Sequence, residues 1–178
     1  MIKKQVTDKA LIVGCKNLEP AMQHLLFDRF ARQMMAVCRR YARDIMEAED
    51  LMQEGFIKIF SRIGQIEDGS LEGWIRKIFV NTCLNHIRDT RKFYLGMDTE
   101  VSEPIFQEED GLQRLQSEEI LQLIENLPEG ARLIFNLFAI EGFPHTEIAE
   151  MLNITEGASR SQLARARKIL QEQLKQLN

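Results

Sequence analysis

The chain has 178 residues, 44% of them hydrophobic, with 23 basic and 27 acidic side chains. This length allows one large domain or two small ones, and the hydrophobic fraction is enough for a buried core. Leu, Glu, Ala and Gln supply 64 residues, whereas Val, Thr, Tyr and Trp supply only 14. Because the first group suits helices and the second suits strands, the composition predicts an all-α fold and argues against sandwiches, barrels and parallel α/β folds.

The longest uncharged stretch has ten residues (78–87). A membrane-spanning helix needs about 20, so we expect no membrane insertion of this chain. The apolar run at residues 10–13 is too short for a signal peptide. The three cysteines, Cys15, Cys38 and Cys83, lie far apart and form no CxxC pair. This spacing is typical of reduced thiols and predicts a cytoplasmic protein.

The net charge of −4 conceals a pattern of charge blocks. Residues 1–43, 71–94 and 156–178 carry net charges of +6, +3 and +3, whereas residues 95–125 carry −8. Attraction to phosphates is local, with a Debye length of about 8 Å at physiological salt. Basic helical segments separated by an acidic stretch therefore indicate nucleic-acid binding in spite of the acidic total. The alternative is that each block is only a solvated helix face.

The first half of the chain contains three helical patterns, at residues 19–44, 47–63 and about 70–92. In each pattern the apolar residues recur every three or four positions, which is the spacing of one helix face. Ser70 is a suitable N-cap for the third helix. The residues predicted to be buried are Met22, Leu26, Phe30, Met34, Val37 and Tyr41, then Leu51, Phe56, Phe60 and Ile63, then Leu71, Trp74, Ile75, Ile78, Phe79, Thr82 and Ile87.

The periodicity stops at residues 94–116. This stretch contains two glycines, a proline and six acidic residues, a composition typical of a polar linker. We therefore predict an acidic linker over 94–116 between a domain at 1–93 and a domain at 117–178.

The second domain contains four shorter helical patterns. Ser117 is suited to cap the first, Pro128 opens the second and Gly142 ends it. A short helix, a turn at Asn153 and a basic helix capped by Thr155 then make a helix-turn-helix. The short helix covers about 144–152, and the core that it shares with the basic helix is predicted to contain Ile148, Leu152, Ile154 and Leu163.

The basic helix of this motif leaves several polar side chains for solvent or DNA. Arginine can bind guanine through two hydrogen bonds and glutamine can bind adenine in the same way, while helix N-termini and arginines suit phosphates. The motif therefore predicts binding to duplex DNA, with an ordinary helical hairpin as the alternative. The side chains concerned are Arg160, Ser161, Gln162, Ala164, Arg165, Arg167 and Lys168.

The third helix of the first domain mixes aromatic and basic residues, among them Trp74, Phe79, Arg76 and Lys77. Such a mixture suits single-stranded DNA, because bases stack on aromatic rings and cations bind phosphates. Both aromatic residues also lie on the apolar stripe, so a place in the core is the alternative for them.

Catalytic motifs are missing from the sequence. His24, His86 and His145 have no partners at metal-ligand spacing, and neither a glycine-rich phosphate loop nor a G-x-S-x-G segment is present. The acidic pair Glu49 and Asp50 diverges on a helix. We therefore expect no enzyme, no metal and no other cofactor.

Four segments in order resemble the motifs of one bacterial family. Residues 48–60 (AEDLMQEGFIKIF) resemble its AEDLxQExF helix, and residues 74–82 (WIRKIFVNT) resemble the WLxRIAxN segment that follows. Residues 127–135 and 142–149 resemble its C-terminal domain. Residues 157–167 (GASRSQLARAR) resemble its GTVKSRLxRAR recognition helix. The chain thus resembles bacterial sigma-70 factors, and its length matches the extracytoplasmic function (ECF) subgroup.

This resemblance implies a three-helix, region-2-like domain and a region-4-like helix-turn-helix domain. The first would bind core RNA polymerase and open the promoter −10 element as single-stranded DNA, and the second would read the −35 element as duplex DNA. An anti-sigma factor would regulate both. The implied polymerase contacts are Asp50, Gln53, Glu54 and Phe56; the −10 contacts are Arg76, Lys77, Asn81, Asn85 and Arg88, with Asn81 at the flipped base; the −35 contacts are Arg160, Ser161, Gln162, Ala164, Arg165 and Lys168.

Three residues of the last motif depart from the family pattern. Ala158 replaces the usual Thr, Ser159 the usual Val, and Gln162 the usual Arg or Lys. Ser159 therefore brings a hydroxyl to a place where the helix-turn-helix core is expected to be apolar, and Gln162 changes a side chain that faces the −35 sequence.

The leading hypothesis is a promoter-specificity subunit of RNA polymerase without enzymatic activity. The alternative is a helix-turn-helix regulator that binds DNA without joining the polymerase. The helix at 47–63 favours the first, because a free regulator has no use for Asp50, Gln53 and Glu54 beside an aromatic-rich face. An enzyme would need convergent polar groups, which the sequence does not show.

Overall fold

The computed structural model describes residues 6–66, 70–94 and 122–177. The chain divides into two compact units, residues 1–106 and 107–178. The described residues of both units form helices and turns and contain no β-strand, which confirms the predicted all-α fold. The predicted linker at 94–116 lies outside the described residues from position 95 onward, and its boundaries stay predictions.

In the first unit each helix begins or ends close to a sequence signal. Ser70 Oγ accepts a hydrogen bond from the Gly73 amide at 3.2 Å, which confirms the predicted cap of the helix that begins at Leu71. Asp44 caps the preceding helix through the amide of Glu47 at 2.8 Å. The helices are α1 (Asp8–Lys16), α2 (Pro20–Arg39), α3 (Ile45–Arg62) and α4 (Leu71–Tyr94), with a 3-10 turn (Ile63–Gln65) after α3.

Helix α1 was missed by the sequence analysis. Its nine residues are too few for a stable isolated helix, and it is stabilised instead by Leu11 and Cys15, which are buried where α1 packs on α2. Gly14 allows this close approach, because a Cβ there would lie 2.7 Å from Cβ of Met22. Burial, and to a lesser extent the nearby carboxylate of Glu19, raises the pKa of the Cys15 thiol.

Helices α2, α3 and α4 pack together around an aromatic cluster centred on Phe56. Its ring lies 4.7 Å from that of Phe27 and meets the ring of Phe79 edge-on at 5.3 Å, measured between centroids. Most of the predicted core is buried: Leu26, Phe30, Met34, Val37, Tyr41, Leu51, Phe56, Ile63, Leu71, Ile75, Phe79 and Thr82. The other predicted core residues, Met22, Phe60, Trp74, Ile78 and Ile87, are only half-buried.

In the second unit, residues 122–125 are helical and Leu127 is buried, while the predicted cap at Ser117 lies outside the described residues. Pro128 immediately precedes the next helix, and an irregular π-helical turn extends it. The elements are α5 (Glu129–Phe135), the π turn (Asn136–Ile140), α6 (His145–Leu152) and α7 (Glu156–Leu177).

The turns of the second unit lie at the residues that the sequence predicted for them. Gly142 after the π turn has φ 80°, and Asn153 between α6 and α7 has φ 54°, a left-handed conformation that both residue types tolerate. Thr155 Oγ1 accepts from the Ala158 amide at 3.1 Å, so the predicted cap of α7 is confirmed.

The predicted core of the helix-turn-helix needs one correction. Ile148 and Leu163 are buried and Leu152 is half-buried, but Ile154 is 38% exposed. Ile154 directly follows the left-handed Asn153, and the chain reversal there turns its side chain towards solvent. A second part of the core holds α5 against α7; its buried members are Leu127, Ala131 and Ala166, flanked by Ile124, Phe135, Ile169 and Leu170.

Candidate polymerase and nucleic-acid interfaces

The outer face of α3 presents the predicted polymerase contacts Asp50, Gln53 and Glu54, all of them exposed. Their spacing of three and four residues places them on one side of the helix. Glu54 forms an ion pair with Lys58, whose Nζ lies 2.5 Å from the glutamate Oε1. This face therefore offers carboxylate and amide groups to a partner.

The fourth predicted polymerase contact, Phe56, does not belong to this face. Its side chain is only 4% exposed because it lies under Phe27 and against Phe79. The residue that the sequence analysis missed is its neighbour Ile57, which is 67% exposed. Ile57 follows Asp50 by seven positions and so continues the same face, a signal that the sequence did contain. Phe27 on α2 is also 42% exposed.

Helix α4 carries a stripe of exposed polar side chains. Lys77, Asn81, Asn85 and Arg88 follow one another at intervals of three or four residues and are all exposed, so four of the five predicted −10 contacts share one side of the helix. The sequence also predicts that Asn81 lies at the exposed end of a pocket beside the loop at 64–69. Residues 67–69 of this loop lie outside the described part of the chain.

Arg76, the fifth predicted −10 contact, lies off this stripe and is half-buried. Its Nη2 lies 3.4 Å from Oε1 of Glu72, which also accepts a 2.6 Å hydrogen bond from Gln33 Nε2 on α2. The Gln33 hydrogen bond, helped by Arg76, lowers the pKa of the Glu72 carboxyl. Arg76 thus belongs to a polar contact between α2 and α4.

The outer face of α3 and the α4 stripe are joined through Lys58. Besides pairing with Glu54, its Nζ donates a 3.3 Å hydrogen bond to Oγ1 of Thr82. Thr82 is buried and adjoins Asn81 in the chain; its hydroxyl donates to the carbonyl of Ile78 at 2.9 Å. One side chain of α3 therefore connects both candidate surfaces of the first unit.

Helix α7 presents most of the predicted −35 contacts. Arg160, Ser161, Ala164, Arg165 and Lys168 are exposed, while Leu163 and Ala166 face the core. Arg160 forms an ion pair with Glu156 one turn earlier. Gln162 differs from the others: it is half-buried beside the start of α5, where a Cβ on Gly130 would lie 3.8 Å from its carboxamide carbon.

Ser159, the serine at an expected apolar position, is fully buried. Its Oγ lies 2.8 Å from Nδ1 of His145, the first residue of α6. The imidazole of His145 also stacks on the ring of Phe138, at 4.4 Å between centroids and 19° between planes. The hydroxyl is therefore satisfied inside the core by a histidine that precedes it by fourteen residues.

No group of three or more His, Cys, Asp or Glu side chains suited to hold a metal ion occurs within the described residues. In the same part of the chain, no helix has the length and hydropathy needed to cross a lipid bilayer.

An acidic helix face and a stripe of cations and carboxamides in one unit, with a basic helix-turn-helix in the other, are the features expected of a transcription protein that contacts DNA. Comparison with known families makes the class specific. The profile of Sigma-70 region 2 matches residues 26–93, and that of Sigma-70, region 4 matches residues 117–170. The chain belongs to the sigma-70 family of RNA polymerase sigma factors, in its ECF subgroup.

Curated relatives span nearly the whole chain. The RNA polymerase sigma-H factor of Pseudomonas aeruginosa is 27% identical over 187 residues, which cover 97% of this chain and 96% of that protein. The ECF RNA polymerase sigma-E factor of Haemophilus influenzae is 25% identical over 194 residues, covering 98% of each. This chain therefore functions as a sigma factor, and the regulator alternative is not favoured.

Two solved structures share the fold. One is CnrH in complex with the cytosolic domain of CnrY, with a TM-score of 0.56, 20% identity, and coverage of 94% of this chain and 97% of that chain. The other is the sigma factor RpoE in complex with the anti-sigma factor NepR from Bartonella quintana, with a TM-score of 0.61, 24% identity, and coverage of 85% and 96%.

Proposed function

We propose that this sigma factor binds core RNA polymerase through the outer face of α3, opens the −10 element with the stripe of α4 and reads the −35 duplex with α7. In this proposal residues 1–93 and 117–178 are the two functional domains, joined by the acidic linker at 94–116. The chain has no enzymatic activity, needs no cofactor and acts in the cytoplasm, where the polymerase performs the chemistry.

The observation that carries this proposal is the arrangement of α3 and α4. Asp50, Gln53, Glu54 and Ile57 combine charge with an exposed apolar group, as expected of a protein-binding surface with an apolar anchor. The stripe around Asn81 combines cations with carboxamides, which suit phosphates and unpaired base edges. Both surfaces lie on adjacent packed helices, so a protein partner and opened DNA can be bound by one rigid unit.

The proposal is tested by transcription in vitro with the full-length chain and core RNA polymerase from the same organism. The template is a pool of promoter fragments from that genome, and core polymerase alone is the control. We expect transcripts with defined start sites only when the chain is added. If no fragment gives such transcripts, the proposed polymerase function is wrong.

A protein inhibitor is also part of the proposal. The structure of RpoE contains an anti-sigma factor, and that of CnrH contains the cytosolic domain of CnrY. By analogy we propose that an anti-sigma factor holds this chain away from polymerase. The test is a competition experiment. A candidate anti-sigma factor that binds the full-length chain should release the chain from a preformed complex with core polymerase. Binding without release would contradict the proposal.

A further inference from the structure

A hydrogen bond between the half-buried His145 and the fully buried Ser159 joins the two helices of the helix-turn-helix. Ser159 is 0% exposed, so its hydroxyl has no access to water and depends on a partner within the protein. That partner is Nδ1 of His145, at 2.8 Å. Removing the histidine nitrogen would leave a polar group unsatisfied in the core.

The histidine is itself fixed by contacts with another element. Its ring stacks on Phe138 of the π turn at 4.4 Å, and the guanidinium of Arg167 on α7 lies 5.8 Å from the centroid of the same phenylalanine ring. His145 therefore contacts the π turn and α7 while it begins α6. A nucleophilic role for the serine is excluded by its burial, because no substrate can reach Oγ.

We propose that the His145–Ser159 hydrogen bond is a positioning contact that sets the placement of α7 on α6 and thereby the sequence selectivity of the DNA-reading face. This inference rests on the proposed reading of duplex DNA by α7. Ser159 immediately precedes Arg160 and Ser161, so a shift at Ser159 moves both of these exposed side chains. A hydroxyl can donate or accept a hydrogen bond, so the contact can form with either tautomer of the histidine.

Positioning and simple stabilisation have different signatures. Partial unfolding lowers the affinity for all DNA sequences by the same factor, so the ratio of specific to non-specific affinity stays constant. A displaced but folded α7 retains much of its attraction to phosphates, which is independent of sequence, and loses contacts with base edges. The affinity ratio therefore separates the two roles.

The experiment uses the full-length chain and a duplex selected by it from a random pool, with a scrambled duplex of equal length as reference. We compare Ser159→Ala and His145→Phe, which remove the hydrogen bond, with His145→Asn, whose carboxamide nitrogen can occupy the place of Nδ1. We expect the first two to lower the affinity ratio about fivefold or more, the loss expected when a base contact is misplaced. We expect His145→Asn to retain it within about twofold.

The double variant His145→Phe/Ser159→Ala provides a second readout. If the two residues act through one bond, its affinity ratio should be no lower than that of the more damaged single variant. An unchanged ratio in folded Ser159→Ala, or additive losses in the double variant, would overturn the positioning role. If the wild-type chain selects no duplex at all, the proposed reading of DNA by α7 fails first, and the positioning role fails with it.

Discussion

Gly55 of α3 lies so close to Phe79 of α4 that a Cβ at position 55 would be 2.3 Å from Cε1 of the ring. Phe79 is fully buried and is also held edge-on by Phe56, so its ring has little freedom to move away. Helix α3, with the proposed polymerase contacts, and helix α4, with the proposed −10 contacts, are thus brought together by the absence of one side chain.

Gly55→Ala should therefore lower the free energy of unfolding, by about 1–3 kcal/mol for overpacking in a tight core. Helix propensity acts in the opposite direction, because alanine is favoured over glycine within a helix by roughly 0.5–1 kcal/mol. A net loss of stability therefore indicates overpacking. Urea unfolding followed by circular dichroism measures the net effect. The matched control is Gly73→Ala on α4, where the nearest neighbouring atom is 3.6 Å away and a gain in stability is expected. Equal stability of the two variants would contradict the close packing.

Glu54→Lys should weaken binding to core polymerase by more than about 1 kcal/mol, because a reversed charge becomes repulsive at a desolvated contact. Glu49→Lys makes the same change on the same helix one turn before Gln53, at the edge of this face, and we expect it to cause a smaller loss. Titration of labelled full-length chain with core polymerase measures both. Equal losses in the two variants would indicate a general charge effect instead of a contact.

Ile57→Ser tests the apolar part of the same face. Ile57 is 67% exposed in the free chain, so its replacement should leave the stability of the fold within about 0.5 kcal/mol and weaken polymerase binding by about 1 kcal/mol or more through lost apolar burial. Val13→Ser on α1 is the control, since Val13 is 56% exposed and lies on a different helix. Unchanged affinity of Ile57→Ser would remove this residue from the interface.

Arg160→Ala should cost about 1–3 kcal/mol of affinity for the selected duplex and change the preference at one base position. The ion pair with Glu156 is no obstacle, because exposed pairs of this kind contribute little. Selection from a random duplex pool before and after the substitution measures the preference, and Lys175→Ala near the end of α7 serves as the control. A uniform loss over all sequences would assign Arg160 to a phosphate contact.

Asn81→Ala should leave binding to the −35 duplex intact and reduce open-complex formation. A carboxamide can both donate to and accept from a base edge, and the flipped base must first leave the stack at a cost of a few kcal/mol. Permanganate reactivity of unpaired thymines in the holoenzyme–promoter complex is the measurement, with the exposed Asn17→Ala as the control. Wild-type reactivity of the Asn81 variant would contradict the assignment.

Local signals in the sequence predicted the helix ends well, because Ser70, Asn153 and Thr155 act on their own backbone within a few residues. Helix α1 escaped prediction because its stability comes from packing of Leu11 and Cys15 on α2, which no local pattern shows. The prediction that Ile154 is buried was wrong for a similar reason, since the left-handed Asn153 before it redirects the chain.

The contacts between individual side chains in the candidate site were harder to predict from the sequence than the helix ends. Helical periodicity placed Phe56 and Ile57 next to each other on α3, but only the positions of Phe27 and Phe79 decide that the first is buried and the second exposed. The sequence likewise predicted a polar atom at Ser159 in an apolar setting. Its partner His145 lies on the preceding helix, beyond the reach of spacing rules.

The alternation along α3 has a consequence for how such chains diverge. Its outward-facing residues are Asp50, Gln53, Glu54 and Ile57, and its inward-facing residues are Leu51, Met52, Gly55 and Phe56. Neighbouring positions are therefore restricted in different ways, the outward ones by surface contacts and the inward ones by core packing. Under the proposed polymerase contact, substitutions in the outward set change partner binding and leave folding nearly untouched, whereas those in the inward set disturb both. Single substitutions can therefore change the chemistry of this surface while the scaffold beneath it stays the same.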